Sequence, residues 1–103
     1  MTIREQISEY NEEAIMFDDL DDAAIGVGQQ HGSQTVAIYD RDKCIEIFYQ
    51  NFVKEKKERF ERELTNDELL EAETDAIEWF DYNVGCAYLG ENTPIFVERF
   101  EDA

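Results

Sequence analysis

The chain has 103 residues, enough for one domain with a single hydrophobic core. Its 26 acidic residues against nine basic ones give a net charge of -17, which argues against direct binding to nucleic acid or to an anionic membrane. With 43% hydrophobic residues, the chain is too apolar to be a disordered acidic tail.

The residue types that bind structural zinc are scarce. Cys44 and Cys86 lie far apart in the sequence, and His31 is the only histidine. Three candidate ligands fall short of the four that a structural zinc site usually needs, so we expect no metal site and no cofactor. No secretory signal or transmembrane run is visible, and reduced thiols in a cytoplasmic protein are therefore expected.

The first third of the chain predicts a short helix followed by a β-hairpin. Thr2 and Glu5 have the spacing of a capping box, and apolar residues then recur at helical spacing. Two strand-like runs, residues 24–27 and 35–39, are separated by a loop that contains Gly28 and Gly32. This pattern predicts two antiparallel strands.

The middle of the chain predicts a long helix that begins after Asp40, a natural N-cap residue. Its predicted apolar stripe is Cys44, Ile45, Phe48 and Phe52, with Phe60 as a further candidate. Residues 54–63 are almost wholly charged, with five basic residues among four glutamates. We interpret them as the solvated end of this helix, since mixed charges at spacings of three and four support helices.

A second helix is predicted from the capping box that Thr65 and Glu68 form, with its end at Gly85 or, after one more loose turn, at Gly90. Its predicted buried stripe is Leu69, Ala72, Ala76, Ile77, Phe80 and Val84. Pro94 introduces a final strand over residues 95–100. Together the elements predict an α+β fold, in which a small antiparallel sheet of about three strands packs against two helices, with a short N-terminal helix.

Four segments carry a family resemblance: residues 17–27 (Phe-Asp-Asp-Leu-Asp-Asp-Ala-Ala-Ile-Gly-Val), 38–46, 76–83 and 85–96. In these the chain resembles a family of small, largely uncharacterised acidic proteins encoded by bacteriophages and bacterial genomes. The resemblance implies a phage or mobile-element origin, with the host bacterial cytoplasm as its location. Family members usually turn quickly into the second helix, so residues 50–64 are interpreted as a helical-hairpin insertion.

Two groups of carboxylates are the candidate partner-binding residues. The first is a row on the second helix, predicted to lie opposite its apolar stripe: Glu68, Glu71, Asp75 and Glu78. The second is a loop cluster: Asp18, Asp19, Asp21 and Asp22. Along the helix the row places one charge about every 5 Å, whereas duplex DNA carries one charge per about 1.7 Å of its axis. One row is therefore too sparse, and mimicry of nucleic acid would need both groups of carboxylates. The alternative interpretation is that both are solvated surface.

No enzymatic function is expected, because no nucleophile accompanies His31 in a recognisable motif. The predicted function is that of a non-enzymatic accessory protein that binds a basic surface on a host or phage protein, as an acidic mimic that blocks nucleic-acid binding. Two alternatives remain open. One is a module that binds a small molecule or a divalent cation. The other is a structural homodimer in which the charged residues 54–63, the charged arm, pair with an acidic face of a second copy.

Overall fold

The computed structural model describes residues 1–100. In chain order it contains helix α1 (Ile3–Tyr10), a 3-10 turn (Asp21–Ala23), strands β1 (Ala24–Gln29) and β2 (Thr35–Asp40), helices α2 (Arg41–Phe60) and α3 (Asn66–Phe80), a π-helical turn (Asp81–Gly85) and strand β3 (Ile95–Val97). The predicted α+β class with a small sheet is confirmed. The chain forms two compact units. The sheet unit joins Met1–Lys43 to the segment that begins at Ala87, and the helix unit is Cys44–Cys86.

The three-stranded sheet has the order β1-β2-β3. The predicted antiparallel pairing of β1 with β2 is confirmed, with a bulge between Ala24 and Gly26. The prediction of an all-antiparallel sheet is wrong, because β3 runs parallel to β2 with Ile38 opposite Ile95. Parallel strands need a long crossover connection, and here both long helices lie between them in sequence. The final strand ends at Val97, three residues earlier than predicted.

Tyr39 is the centre of the sheet unit's core, with no exposed surface. Its ring stacks on Phe96 at a centroid separation of 5.5 Å and meets the edge of Phe17 at 6.1 Å. Its hydroxyl accepts a hydrogen bond from the Phe17 amide at 3.0 Å, so the buried oxygen is satisfied. Strand β2 thereby ties the segment before β1 to strand β3.

Asp40 begins α2 as predicted, because its Oδ1 accepts a hydrogen bond from the Lys43 amide at 3.2 Å. The sequence did not indicate its second role. Oδ2 accepts a hydrogen bond from Arg99 Nε at 3.0 Å. One carboxylate therefore satisfies a helix terminus and also binds Arg99, two residues after β3.

The helix unit contains most of α2 and all of α3. The predicted capping box at the start of α3 is confirmed, with Thr65 and Glu68 each accepting from the other's amide. Of the predicted stripe, Ala72, Ala76, Phe80 and Val84 are buried. Leu69 is only half-buried, and the prediction that Ile77 is buried is wrong, since it is 37% exposed.

Residues 50–64 form the second half of α2 and the turn after it. The helix ends at Phe60, where Glu61 takes a left-handed conformation with φ 56°. That this segment is an insertion relative to similar proteins stays a prediction. Cys44 is buried and Cys86 is exposed, and within residues 1–100 neither forms a disulfide bond.

Candidate partner-binding surface

The predicted acidic row lies along α3, and the prediction that it lies opposite the buried stripe is correct for only part of the row. Glu68 and Asp75 are half-buried, whereas Glu71 and Glu78 are exposed. At 100° per residue Glu71 and Glu78 lie nearly opposite the stripe, whereas Glu68 and Asp75 lie nearer its edge. The cations that meet this edge come from α2 and from the turn after it. This placement decides which of the four carboxylates meet cations within the helix unit.

Lys56 occupies the space beside the row. Its side chain is 11% exposed, and its ammonium lies 3.4 Å from Asp75 Oδ2 and 3.7 Å from Glu71 Oε1. The prediction that the charged end of α2 is solvated is therefore wrong at this residue. The aliphatic part of the lysine side chain is buried in the helix unit, while its ammonium group reaches two carboxylates at the surface of α3.

Arg62 neutralises the first residue of the row. Its guanidinium makes two parallel bonds to Glu68, of 2.7 Å and 3.0 Å, and Glu68 also accepts from the Thr65 amide. The hydrogen bonds from Arg62, followed by the bond from the Thr65 backbone, lower the pKa of Glu68 to about 2. Glu68 therefore holds the turn between the helices together rather than presenting a free charge.

The basic residues of the arm are largely engaged with neighbouring residues. Lys57 lies 3.1 Å from Glu63, and the guanidinium carbons of Arg59 and Arg62 each lie 5.1 Å from the centroid of the Phe60 ring. With Lys56 and Arg62 already paired to α3, few of these cations remain to meet the acidic face of a second copy.

An open cleft lies at the other end of the row, between α2 and the end of α3. It has a volume of about 330 Å³. Its wall combines aromatic rings with carboxylates and one amide: Phe52, Asp75, Glu78, Trp79, Tyr82 and Asn83. The Phe52 and Trp79 rings meet edge to face at a centroid separation of 6.2 Å.

The cleft residues are unusually accessible for aromatic side chains. Trp79 is 49% exposed and Tyr82 is 84% exposed. Glu78 is exposed, and within residues 1–100 it makes no ion pair. The Asn83 amide donates to the Trp79 carbonyl at 3.2 Å, as expected for an amide near a helix end. The cleft therefore offers a free carboxylate beside accessible rings.

Sequence reasoning did not identify Phe52 and Trp79 as surface residues. Phe52 was assigned to the buried stripe, and it is half-buried. Helical spacing gave no clear signal for Trp79, because it is three residues after the buried Ala76 and also four residues after the half-buried Asp75. Which residue would lie beside it could not be deduced without the pairing of α2 with α3.

The loop cluster belongs to the sheet unit and is partly neutralised. Arg4 Nε lies 2.9 Å from Asp21 Oδ2, and its Nη2 lies 3.4 Å from Asp18 Oδ1. The hydrogen bond to Asp21 raises the pKa of the Arg4 guanidinium above its usual value. Asp22 is exposed, and Asp19 is exposed with a φ of 66°. These two are the cluster's carboxylates that make no ion pair within the described part of the chain.

In residues 1–100, no three His, Cys, Asp or Glu side chains are grouped so that they could hold a metal ion. No helix in that same range is both long and apolar enough to cross a membrane.

Comparison with known proteins found no matching protein family, no similar curated protein and no similar solved structure.

Proposed function

We propose that this chain is a non-enzymatic accessory protein of a phage or mobile element, which binds a host or phage protein through a basic surface on that partner. The observation that carries the proposal is the open cleft at the end of α3, where Glu78 lies unpaired beside Trp79 and Tyr82. The resemblance described above supports the phage or mobile-element origin.

The charge of the chain supports a basic partner. A net charge of -17 attracts a positively charged surface over distances comparable to the Debye length. Basic surfaces that bind nucleic acid are the favoured targets, because the chain would compete with phosphates for the same cations. Of the eight carboxylates predicted, five have cations of their own: Asp18, Asp21, Glu68, Glu71 and Asp75. The remaining candidate contacts are Asp19, Asp22 and Glu78.

The shape of the cleft favours a protein partner over a small molecule. Sites for small ligands usually bury most of the ligand's surface. This cleft is open, and its aromatic residues stand partly in solvent. Accessible aromatic residues beside polar groups are typical of the centre of a protein interface.

The test is capture from a bacterial lysate on the immobilised chain at about 0.05 M and about 0.5 M salt. Polyglutamate immobilised at equal charge is the control for proteins that bind nonspecifically to any acidic polymer. We expect a protein that the chain retains at low salt, that polyglutamate does not retain, and that high salt releases. We then expect added chain to displace nucleic acid from the purified partner.

Three results would contradict the proposal. They are the absence of any retained protein at low salt, retention of the same proteins by polyglutamate, and binding that does not respond to salt. A partner that keeps its nucleic acid in the presence of excess chain would contradict only the blocking mechanism.

A further inference from the structure

We propose that the cleft lined by Phe52, Asp75, Glu78, Trp79 and Tyr82 is an anchoring subsite for one arginine side chain of the partner. This inference rests on the proposed function, because it names the chemical group that the acidic surface recognises. It distinguishes arginine from lysine, which net charge alone does not.

The residues of the cleft match the two ways in which a guanidinium group binds, through its flat face and through its edge. A guanidinium stacks on aromatic rings through its plane and donates parallel hydrogen bonds to a carboxylate through its edge. Trp79 and Tyr82 supply accessible rings, and Glu78 supplies a carboxylate with no ion pair among residues 1–100. A lysine ammonium is a strongly hydrated point charge that would use only the carboxylate fully.

The chain already binds one of its own arginines in this way. Arg62 lies with its guanidinium carbon 5.1 Å from the Phe60 ring centroid and makes two bonds to Glu68, at 2.7 Å and 3.0 Å. The cleft repeats this combination of an aromatic ring and a carboxylate, at the opposite end of α3. In the cleft, the guanidinium has to come from another molecule.

The size and charge of the cleft agree with a single side chain as its occupant. A volume of about 330 Å³ is at the small end of the range for ligand sites. Asp75 shares its charge with Lys56 at 3.4 Å, so Glu78 is the main attraction for a cation. An anionic group is disfavoured, because two carboxylates line the wall of a protein that is strongly negative overall.

Trp79 makes the proposal directly measurable, because it is the only tryptophan in the chain. The probes are two capped hexapeptides of alternating glycine and basic residue, identical except that one contains arginine and the other lysine. At low salt we expect the arginine peptide to change the Trp79 emission and to bind about 5-fold more tightly than the lysine peptide.

A pair of matched variants tests the site. Glu78→Gln removes the carboxylate from the cleft, and Glu73→Gln removes an exposed carboxylate from the same helix outside the cleft. We expect Glu78→Gln to weaken the arginine peptide about 5-fold and Glu73→Gln to weaken it less than about 2-fold. Trp79→Leu, measured by calorimetry, should remove the preference for arginine while circular dichroism shows the helices intact.

The outcomes separate this inference from the proposed function. Equal binding of the two peptides, or equal effects of Glu78→Gln and Glu73→Gln, would overturn the arginine subsite and leave salt-dependent binding of a basic partner intact. If a partner is captured from lysate but Trp79→Leu and Glu78→Gln bind it normally, the subsite is likewise wrong. If neither peptide binds at low salt and no partner is captured, both proposals fail.

Discussion

Lys56, on α2, is a buried cation whose nearest carboxylate oxygen is Oδ2 of Asp75, on α3. Asp75 remains 41% exposed at its side chain, so water still reaches one end of the pair. The interaction therefore lies between a surface ion pair, which contributes little, and a fully buried one, whose disruption is costly.

The first prediction is that Lys56→Met destabilises the protein by about 1–2 kcal/mol, because it leaves Asp75 and Glu71 without their cation at a half-buried site. The control is Lys54→Met, on the same helix. Lys54 is exposed and has no ion pair among residues 1–100, and its replacement changes the net charge equally. Urea unfolding measures both variants. Equal losses of stability would show that the Lys56 pair contributes nothing.

The second prediction concerns acid. The pKa of Glu68 is lowered from 4.5 to about 2 by Arg62 and the Thr65 amide, so its ionised form stabilises the folded state. That contribution is complete above the unfolded-state pKa and is lost as the pH falls through the folded-state pKa. The difference in unfolding free energy between wild type and Glu68→Gln should therefore be constant near neutral pH and shrink between about pH 4.5 and about pH 2.

Glutamine keeps the oxygen that accepts from the Thr65 amide, so the helix cap is retained. Its NH2 group cannot accept from Arg62 Nη2, so the variant removes that one hydrogen bond together with the charge. Denaturant titrations at several pH values measure the difference, and carbon NMR of the Glu68 carboxyl measures its pKa. A difference between the two proteins that persists unchanged at pH 2 would contradict the assignment.

The third prediction is that Tyr39→Phe destabilises the sheet unit by about 1–3 kcal/mol. The substitution keeps the ring stacked on Phe96 but leaves the Phe17 amide without its acceptor at a half-buried site. Tyr88→Phe is the control, because Tyr88 is 80% exposed, and a surface change of this kind stays within about 0.5 kcal/mol. Thermal unfolding of both variants tests the prediction, and equal melting temperatures would count against it.

The fourth prediction is that Gly85→Ala destabilises the helix unit by about 1–3 kcal/mol. A Cβ at Gly85 would lie 2.6 Å from a ring carbon of Phe80, which is buried and cannot move freely. Gly26→Ala provides the comparison, since no atom lies within 4 Å of the corresponding Cβ. Denaturant midpoints of the two variants should differ clearly. A Gly85→Ala protein as stable as Gly26→Ala would mean that Phe80 repacks without cost.

Features encoded within a few residues could be predicted from the sequence. The caps at Thr65 and Asp40 depend on side chains that bond to amides three residues later, so the spacing alone reveals them. The β1–β2 hairpin is similarly local. The stripe of Ala72, Ala76 and Phe80 follows from helical periodicity.

Features that depend on distant pairing could not be predicted. Lys56 and Lys54 both belong to a charged run, and only the packing of α2 on α3 buries one and exposes the other. Strand β3 has no local signal for its direction, which is set by the crossover that precedes it. The residues of the acidic row could be identified from the sequence, but not the cations that neutralise part of it, Lys56 and Arg62.

The parallel pairing of β2 with β3 has a consequence for the order of folding. Ile38 and Ile95 can pair only after a loop that contains the whole helix unit has closed. Closing so long a loop costs entropy before any contact is gained. Helices α2 and α3 are joined by a short turn, so their contacts form with a much smaller loss of entropy. We therefore expect the amides of α2 and α3 to be protected before those of β3 in pulsed hydrogen exchange during refolding. Protection of β3 first would contradict this order.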